Sequence, residues 1–315
     1  MSFKIPILIL AYNRNDKLKK LIKVIKKINP EKLYFNCDGP KNKNDILKVI
    51  KVKKTILEIN VSKKKYAKFN KINLGCKKSV QSGIDWFFKQ EKMGIILEDD
   101  CIPHLNFFNY CKLLLEKYQN NKKIFAISGF NYLDGNKFGD GDYYLSKYFL
   151  CWGWATWRGS WSKINKNLTF LPAWNKNNFL FKYHQNILEA KYWSIILKKT
   201  YQKKIDTWDY AFLASMWKNK ANCILPNYNF IKNIGFGENS SHSRYAKLDL
   251  PNMSNSSKKI SNFKTPSVLE SYQESDKILL KKLFRIQYFF YPNRLIYLVR
   301  ILLLNLYAKT KNYIL

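Results

Sequence analysis

Hydrophobic residues recur along the first half of the chain with two different periods. Residues 5–12, IPILILAY, form a continuous apolar run, which is typical of a strand buried on both faces. The next segment, NDKLKKLIKVIKKI, carries aliphatic residues at helical spacing, with Asn15 or Asp16 as its candidate cap. The aliphatic residues at this spacing are Leu18, Leu21, Ile22 and Ile25. The pattern predicts a buried strand followed by an amphipathic helix.

The same alternation continues to residue 131. Further strands are predicted for KLYFNCDGP, ILEINVS, MGIILEDD and IFAISGFN, and helices for DILKVIKVKKTI and HLNFFNYCKLLLEKY. The segment NLGCKKSVQSGIDWFFKQ is predicted to be a loop followed by a helix. Strands that alternate with helices favour a parallel sheet covered by helices on both faces. The sequence therefore predicts an α/β fold, in which ligands bind beyond the carboxyl ends of the strands.

Polar side chains follow four of the predicted strands, and we expect them to converge on one crevice. They are Asn13, Arg14, Asp38, Glu98, Asp99, Asp100 and the residues from Ser128 to Asn131. The three consecutive acids suit a hard divalent cation, which prefers oxygen ligands and keeps water and substrate phosphates in its shell. Asp99 could instead accept hydrogen bonds from a ribose. The alternative is that the acids favour the dipole of the helix that follows them.

The chain of 315 residues carries 56 Lys and Arg against 22 Asp and Glu, a net charge of +34. Such an excess suits a polyanionic partner: nucleic acid, an anionic membrane surface or a phosphorylated substrate. Only six of the basic residues are Arg, however, and nucleic-acid readers depend on Arg for bidentate and stacking contacts. No nucleic-acid-binding motif is present either. We therefore expect no nucleic-acid partner, and the scattered lysines are equally typical of a genome rich in A and T.

The six cysteines show no CxxC pair and no dense spacing, so we interpret them as reduced thiols. The N-terminal apolar run is too short for a secretory signal, and no uninterrupted apolar span reaches the length of a transmembrane helix. These features predict a cytoplasmic protein.

The order of the segments IPILILAYNR, YFNCDGP, NLGCKKSVQSGIDWFF, ILEDDCIPHLNFFNYC and AISGFN resembles that of the nucleotide-sugar glycosyltransferases of the GT-A fold. The resemblance is to the N-acetylglucosaminyltransferase I type and its bacterial, family-2-like relatives, and it covers roughly residues 4–245. It implies a Rossmann-like, mostly parallel sheet and a Mn²⁺ or Mg²⁺ cofactor. It also implies Asp100 as the metal-binding acid, Asp99 near the ribose, Glu98 near the sugar or metal shell, and Arg14 and Asp38 around the uridine base and ribose.

The second half of the chain contains a tryptophan-rich segment, FLCWGWATWRGSW, with four Trp and two Gly residues. Trp side chains form broad apolar platforms on which the C–H faces of sugars stack. The cluster is therefore interpreted as a sugar or acceptor wall, with an ordinary aromatic core as the alternative. The resembling family has a GLGW segment here, at the floor of the donor-sugar pocket, which implies donor contacts for Gly153 and Trp154.

The segment KKIDTWDYAFLASMW contains two candidate carboxylates, Asp206 and Asp209, each of which could cap the helix that follows. In the resembling family a Trp-Asp pair stands here, with its Asp as catalytic base. Trp208 and Asp209 match that pair, which implies Asp209 as the base and Trp208 near the acceptor. An inverting transfer needs one such carboxylate to take the proton of the acceptor hydroxyl.

A glycine- and serine-rich loop, IGFGENSSHS, follows and could close over a bound nucleotide. The resembling family orders a similar loop over the donor, which implies donor contacts for Ser241 and His242. A plain surface turn is the alternative.

Residues 1–265 are predicted to form the catalytic domain, with a nucleotide-binding half (1–135) and a donor-sugar and acceptor half (136–265). Residues 266–315 form an amphipathic, basic and helical tail. Its aliphatic residues at helical spacing are Leu295, Leu298, Ile301, Leu302 and Leu306. The tail could dock on the catalytic domain or lie on an anionic membrane surface, attached to its cytoplasmic face.

Together these features predict a metal-dependent, inverting glycosyltransferase of surface-polysaccharide biosynthesis. It would move a hexosyl or N-acetylhexosaminyl group from a UDP-linked nucleotide-sugar donor to a glycan or lipid-linked acceptor. A nucleotidyltransferase of similar fold is one alternative, although ILAYNRND lacks the Gly-rich, Lys-containing loop expected there. A non-catalytic glycan- or membrane-binding protein is the other.

Overall fold

The computed structural model describes residues 2–133, 136–235, 263–292, 294–295 and 299. Its strands are β1 (Ile7–Ala11), β2 (Lys32–Cys37), β3 (Lys64–Phe69), β4 (Met93–Glu98), β5 (Cys101–Pro103), β6 (Ile124–Ser128), β7 (Tyr143–Ser146), β8 (Trp154–Trp157), β9 (Asn222–Pro226) and β10 (Ile231–Asn233). Its α-helices are α1 (Asn15–Ile28), α2 (Lys43–Glu58), α3 (Gly75–Gln90), α4 (Leu105–Lys117), α5 (Arg158–Trp161), α6 (Leu171–Lys176), α7 (Phe179–Tyr183), α8 (Ile187–Tyr201), α9 (Asp209–Lys218) and α10 (Gln273–Lys282).

One large sheet of eight strands, in the order β3-β2-β1-β4-β8-β6-β9-β7, forms the centre of the protein. The pairings of β1 with β2 and β4, of β2 with β3 and of β6 with β9 are parallel. Strand β8 runs antiparallel between β4 and β6, and β7 runs antiparallel beside β9. Six strands therefore point in one direction and two in the other. The predicted α/β fold with a mostly parallel sheet flanked by helices is confirmed.

Strand β1 and helix α1 follow the sequence pattern closely. All five residues of β1 are buried, as expected for a strand covered on both faces. The buried residues of α1 are Leu18, Leu21, Ile22 and Ile25, the four residues at helical spacing. The predicted cap was wrong, because the N-cap position is Arg14 and its side chain makes no capping hydrogen bond.

The third strand lies later in the chain than predicted. The segment ILEINVS does not form a strand, since Ile56 is a buried residue of α2, which continues to Glu58. Strand β3 is instead KKYAKF, at the edge of the sheet and without a buried residue. Its three lysines are typical of an edge strand, where charged side chains discourage pairing with another chain. Such a strand has no apolar run, and the pattern of hydrophobic residues therefore missed it.

The three acids after β4 do not cap a helix. Strand β5 separates them from α4, whose N-cap is His104, and Nδ1 of His104 accepts a hydrogen bond from the N–H of Asn106 at 3.2 Å. Strand β5 pairs antiparallel with β10 in a second, two-stranded sheet. This small sheet holds the turn that contains Asp99 and Asp100 against a segment more than 130 residues later in the chain.

The described part of the C-terminal region packs on the large sheet. Ser271 bridges to Leu145 of β7, and Oγ of Ser146 donates to Oδ1 of Asp276 at 2.5 Å. Leu279 and Leu280 of α10 are buried. The predicted helical spacing from Leu295 to Leu306 lies almost entirely outside the described residues. No helix in the described ranges is both long and apolar enough to cross a membrane.

We predict that Asp276 makes stability depend on pH. Burial raises the pKa of Asp276 from 3.8 to about 6, although Ser146 and Lys147 act in the opposite direction. The folded protein thus binds more protons than the unfolded chain between these pKa values, and the free energy of unfolding falls as the pH rises through this window. Asp276→Asn keeps an acceptor for Ser146 but cannot ionise. At pH 7 the free energy of unfolding of Asp276→Asn, measured by urea denaturation, should exceed that of wild type by on the order of 1–3 kcal/mol.

The matched control is Glu274→Gln, an exposed position on the same helix, which should leave the pH profile unchanged. Equal profiles for Asp276→Asn and wild type would contradict the prediction.

Candidate active site

The ends of three neighbouring strands lie level at one edge of the large sheet. In the register of β1, Ala11 lies opposite Cys37 of β2, and Leu10 lies opposite Glu98 of β4. The hydrogen-bond ladder continues one residue further on each side, since the N–H of Asp38 donates to Ala11 O at 3.1 Å and that of Asp99 to Leu10 O at 3.0 Å. The polar residues after these three strands therefore meet. The convergence predicted for four strands is met only in part, since Asn13 and the residues from Ser128 to Asn131 do not line the cavity at this edge.

A cavity of about 360 Å³ opens at this edge. Its walls are Leu10, Ala11, Tyr12, Arg14, Asn36, Asp38, Lys41, Asn73, Gly75, Cys76, Ser79, Val80, Glu98, Asp99 and Asp206. Of the predicted site residues, Arg14, Asp38, Glu98 and Asp99 thus line a single cavity. A volume of this size is within the range of small-molecule sites.

Arg14 lies against the acidic turn. Its Nη1 contacts Oδ2 of Asp100 and is 3.9 Å from Oδ1 of Asp99, while Oδ2 of Asp99 accepts the N–H of Tyr12 at 3.2 Å. Burial, followed by the charges of Asp100 and Asp99, raises the pKa of Glu98 well above the usual range of a carboxyl. Burial and the charge of Asp100 likewise raise the pKa of Asp99. The acids therefore repel one another, and Arg14 offsets only part of this repulsion.

Asp100 lies between Arg14 and the segment that follows β10. Its carbonyl oxygen accepts the N–H of Ile234 at 2.9 Å. Gly235 approaches so closely that a Cβ there would be 2.1 Å from Oδ2 of Asp100. The pairing of β10 with β5 thus places a glycine, and no larger residue, beside this carboxylate.

Asp38 is the centre of a dense hydrogen-bond network. Its carboxylate accepts from the N–H groups of Gly39 at 2.9 Å and Leu74 at 3.0 Å, and from the amides of Asn70 at 3.0 Å and Asn73 at 3.1 Å. The side chain is 5% exposed. Asp38 therefore holds the loop before α3 against the end of β2 and gives the cavity one of its walls.

The two candidate carboxylates of the KKIDTWDYAF segment lie on different cavities. Asp206 lines the larger cavity, and Asp209 lines a separate cleft of about 190 Å³. Neither caps α9, whose N-cap is Trp208 without a side-chain capping bond. Asp209 accepts from the hydroxyl of Thr207 and, at 3.0 Å, from the N–H of Tyr210. Residues 206–209 therefore contribute one carboxylate to the cavity and one to the cleft.

Most of the tryptophan-rich segment lies in the core. Trp154 and Trp208 are 1% and 3% exposed, and their rings stack with centroids 5.4 Å apart. Gly153 has a φ of +63°, and a Cβ there would lie 2.4 Å from Ile231. The aromatic-core alternative therefore describes Trp154, while Phe149, Leu150, Cys151 and Trp152 of this segment line the cleft. Trp208, expected near the acceptor, is likewise buried and lines neither the cavity nor the cleft. Ser241 and His242 lie outside the described residues, and their contacts remain predictions.

Several cavity residues have no signal in the sequence pattern. Asn73 and Lys41 lie in loops. Asp206, which the sequence offered only as a candidate cap, reaches the cavity beside Gly75, where a Cβ would lie 3.1 Å from its carboxylate. Tyr12 was part of the apolar run, yet it lines the cavity while its hydroxyl donates to Asp45 at 2.6 Å. A polar residue directly after a predicted strand was the signal that worked, and loop residues lack it.

The acidic turn offers oxygen ligands to a cation. Within the described ranges, no group of three or more His, Cys, Asp or Glu side chains is arranged to hold a metal ion. Mg²⁺ and Mn²⁺ suit oxygen ligands, and Mg²⁺ in particular takes only one or two carboxylates and completes its shell with water and substrate phosphates. The donor set fits such an ion, with Asp99 and Asp100 as the available carboxylates and Arg14 as a competitor for Asp100.

No protein-family model matches the chain, and no curated protein matches its sequence. Solved structures with some likeness include the apo form of the bifunctional glycosyltransferase WbbM, with 9% identity, a TM-score of 0.31 and coverage of 55% of this chain and 35% of that chain. They also include a putative glucose-1-phosphate thymidylyltransferase from Bacillus anthracis in complex with a sucrose, with 9% identity, a TM-score of 0.31 and coverage of 68% and 93%. The chain thus spans about a third of the length of WbbM. Likenesses this weak carry no argument, and the function is argued from the site.

We predict that Asp38 is essential for the shape of the cavity. Asp38→Ala leaves two backbone N–H groups and two side-chain amides without this acceptor, in and beside a partly buried loop. The free energy of unfolding should fall by about 2–4 kcal/mol, measured by urea denaturation. Asp206→Ala is the matched control, because Asp206 lines the same cavity but is exposed, and its effect should stay within about 0.5 kcal/mol. Similar losses in both variants would show that the network around Asp38 contributes little.

Proposed function

We propose that the protein is a metal-dependent, inverting glycosyltransferase that uses a nucleotide-diphosphate sugar, UDP-linked, as its donor. One observation carries the proposal: the turn of Glu98, Asp99 and Asp100 lies with Arg14 at the carboxyl ends of parallel strands, on a cavity next to a cleft that bears Asp209. The donor would occupy the cavity, and the acceptor hydroxyl would approach Asp209.

The acidic turn is proposed to hold Mn²⁺ or Mg²⁺ through Asp100, with Asp99 as the second available carboxylate. Bound there, the ion would neutralise charge on the diphosphate as it leaves. Its binding would also relieve the repulsion among the acids that raises the pKa values of Glu98 and Asp99. Arg14, which contacts Asp100, is placed to turn toward the diphosphate once the cation takes over that carboxylate.

Asp209 is proposed as the general base. The acceptor oxygen forms a bond to the anomeric carbon while the bond from that carbon to the diphosphate breaks and its electron pair leaves with the diphosphate. The proton of the acceptor hydroxyl passes to Asp209. A single displacement of this kind inverts the anomeric centre and needs no second, nucleophilic carboxylate. The contacts of Asp209 with Thr207 and the N–H of Tyr210 hold its carboxylate at the cleft.

The remaining site residues are proposed to shape the donor cavity. Asp38 acts through the loop that it holds, and Asp99 lies between the N–H of Tyr12 and Arg14, where a ribose hydroxyl is within reach of the same carboxylate. Gly153 and Trp154 support the strand behind the acidic turn, and Trp208 sets the start of α9. Ser241 and His242 are proposed to close over the diphosphate.

The acceptor is proposed to be a glycan or lipid-linked molecule of surface-polysaccharide biosynthesis. The net charge of +34 suits attachment to the anionic cytoplasmic face of a membrane. Because Ser271, Asp276 and Leu279 pack on the sheet, a truncation that tests the tail has to begin after Tyr291, where the chain becomes exposed, and not at Ser267.

The first test of the function concerns the metal. In wild type, calorimetry should show that Mn²⁺ strengthens the binding of UDP by about tenfold or more relative to EDTA. Asp100→Ala should abolish this difference between the two conditions, even if the freed Arg14 supports some metal-independent binding. The control is Asp16→Ala, an exposed acid on α1. A variant that keeps the full effect of Mn²⁺ would refute the assignment of Asp100.

The second test concerns the base. Asp209→Asn keeps the size of the side chain but cannot take a proton at neutral pH. Turnover should fall by about a hundred- to ten-thousand-fold, while the affinity for UDP stays within about twofold of wild type. Asp206→Asn should lose far less turnover. The opposite order, with Asp206→Asn inactive, would move the catalytic role to the carboxylate in the larger cavity. Release of pyrophosphate from a nucleoside triphosphate and a sugar phosphate would favour a nucleotidyltransferase.

A further inference from the structure

Part of the wall of the cleft beside Asp209 comes from the segment 266–315, which the sequence analysis assigned to a tail outside the catalytic domain. Leu283 and Phe284, which directly follow α10, line it together with Trp152 and Tyr210. Phe130 and Phe149 are buried and form its base. Residues more than 70 positions after Asp209 thus complete the cleft in which that carboxylate lies.

This wall is held in place by packing on the domain. The ring of Phe284 lies 4.9 Å from that of Trp193 and 5.0 Å from that of Tyr148, measured between ring centroids. Leu279 and Leu280 anchor the preceding helix in the core. Aromatic contacts of this kind stabilise each pair beyond the burial of apolar area alone. The cleft is therefore a preformed feature of the fold.

Asp209 connects the cleft with the donor cavity. In the segment of residues 206–209, Asp206 lines the cavity and Asp209 lines the cleft. Together with burial, the charge of Asp209 raises the pKa of Glu98 in the acidic turn and that of Cys151 in the cleft. Its charge therefore acts on one group of the acidic turn and on one group of the cleft.

The lining of the cleft indicates the chemistry of its occupant. Its volume of about 190 Å³ is below that of a typical drug-sized site and suits a group of about one ring. None of its nine lining residues is basic, although the chain has 56 Lys and Arg. Lys282 and Arg285 flank the wall in sequence but do not line the cleft. Its walls are mostly aromatic and aliphatic, which suits the C–H face of a sugar, and its one carboxylate accepts a hydrogen bond from a hydroxyl.

We propose that this cleft is the acceptor subsite, and that it binds an uncharged, single sugar ring between Trp152 and the wall of Leu283 and Phe284. The inference rests on the proposed function and adds to it the class of acceptor group and the part played by the C-terminal segment. A phosphate or carboxylate on the bound ring is excluded from the cleft by Asp209 and by the absence of a basic lining residue.

The test compares binding to two variants of the full chain. Leu283→Trp fills the cleft from the wall, and Trp152→Ala removes the opposite face. The control is Leu113→Trp, the same enlargement on α4 at a position that is 39% exposed. Thermal melting establishes that each variant is folded, and calorimetry with UDP and Mn²⁺ establishes whether the donor site is intact.

The probes are the p-nitrophenyl glycosides of glucose and N-acetylglucosamine and the 6-phosphates of both. Their binding is measured by saturation-transfer NMR in the absence of any donor. Wild type and Leu113→Trp should bind the neutral glycosides, and both cleft variants should weaken that binding by about tenfold or more. The 6-phosphates should bind no variant. UDP affinity should be the same in all four proteins.

The proposal is overturned if the neutral glycosides do not bind wild type, if both cleft variants bind them as wild type does, or if the 6-phosphates bind more tightly. Failure of the proposed function has a different signature: the glycosides bind in the cleft, but UDP does not bind and no sugar is transferred to them from a UDP-sugar. The two outcomes are therefore separable in one set of proteins.

Discussion

The register of β1 between β2 and β4 is the constraint on which the candidate site depends. Leu10 lies opposite Glu98 and Ala11 opposite Cys37, so that all three strands end at the same level. A shift of one residue would turn every side chain of β1 to the other face of the sheet. Because both faces of β1 are buried, such a shift would not expose its apolar residues, but it would separate Arg14 from Asp100. The hydrogen bonds that continue past the strand ends resist this shift.

The same edge of the sheet concentrates negative charge in a strongly basic protein. Glu98 ends a buried strand and Asp99 and Asp100 form the turn that follows, and burial and mutual repulsion raise the pKa values of Glu98 and Asp99. A cluster of this kind costs stability, and proteins keep it where function requires it. Arg14 compensates part of the charge.

Aromatic packing positions the second carboxylate. Trp208 stacks on Trp154 and lies beside Phe149 and Phe212, and it directly precedes Asp209 at the start of α9. These rings do not line the cavity at the acidic turn, yet they determine where Asp209 lies relative to that turn. The C-terminal segment contributes in the same way, since Phe284 packs on Tyr148 and Trp193 and closes the cleft. The same aromatic cluster thus forms part of the core and positions the residues of the cleft.

The sequence by itself determined those features that arise from local burial. The apolar run of β1, the four buried positions of α1 and the acidic turn after β4 were all evident from the chain, because a buried strand or helix face imposes a period on neighbouring residues. The alternation of strands and helices was sufficient for the α/β class. Asp38 was found because it is polar and directly follows a predicted strand.

Only the tertiary structure decided the features that depend on contacts distant in sequence. Strand β3 is an edge strand without an apolar run. The pairing of β10 with β5 joins two segments far apart in the chain, and the local sequence of neither indicates the other as its partner. The burial of Trp154 and Trp208, the division of Asp206 and Asp209 between two cavities, and the wall of Leu283 and Phe284 belong to the same class. The period of the hydrophobic residues in a strand or helix indicates which face of that element is buried. Which other element covers that face is determined by the packing of the whole chain.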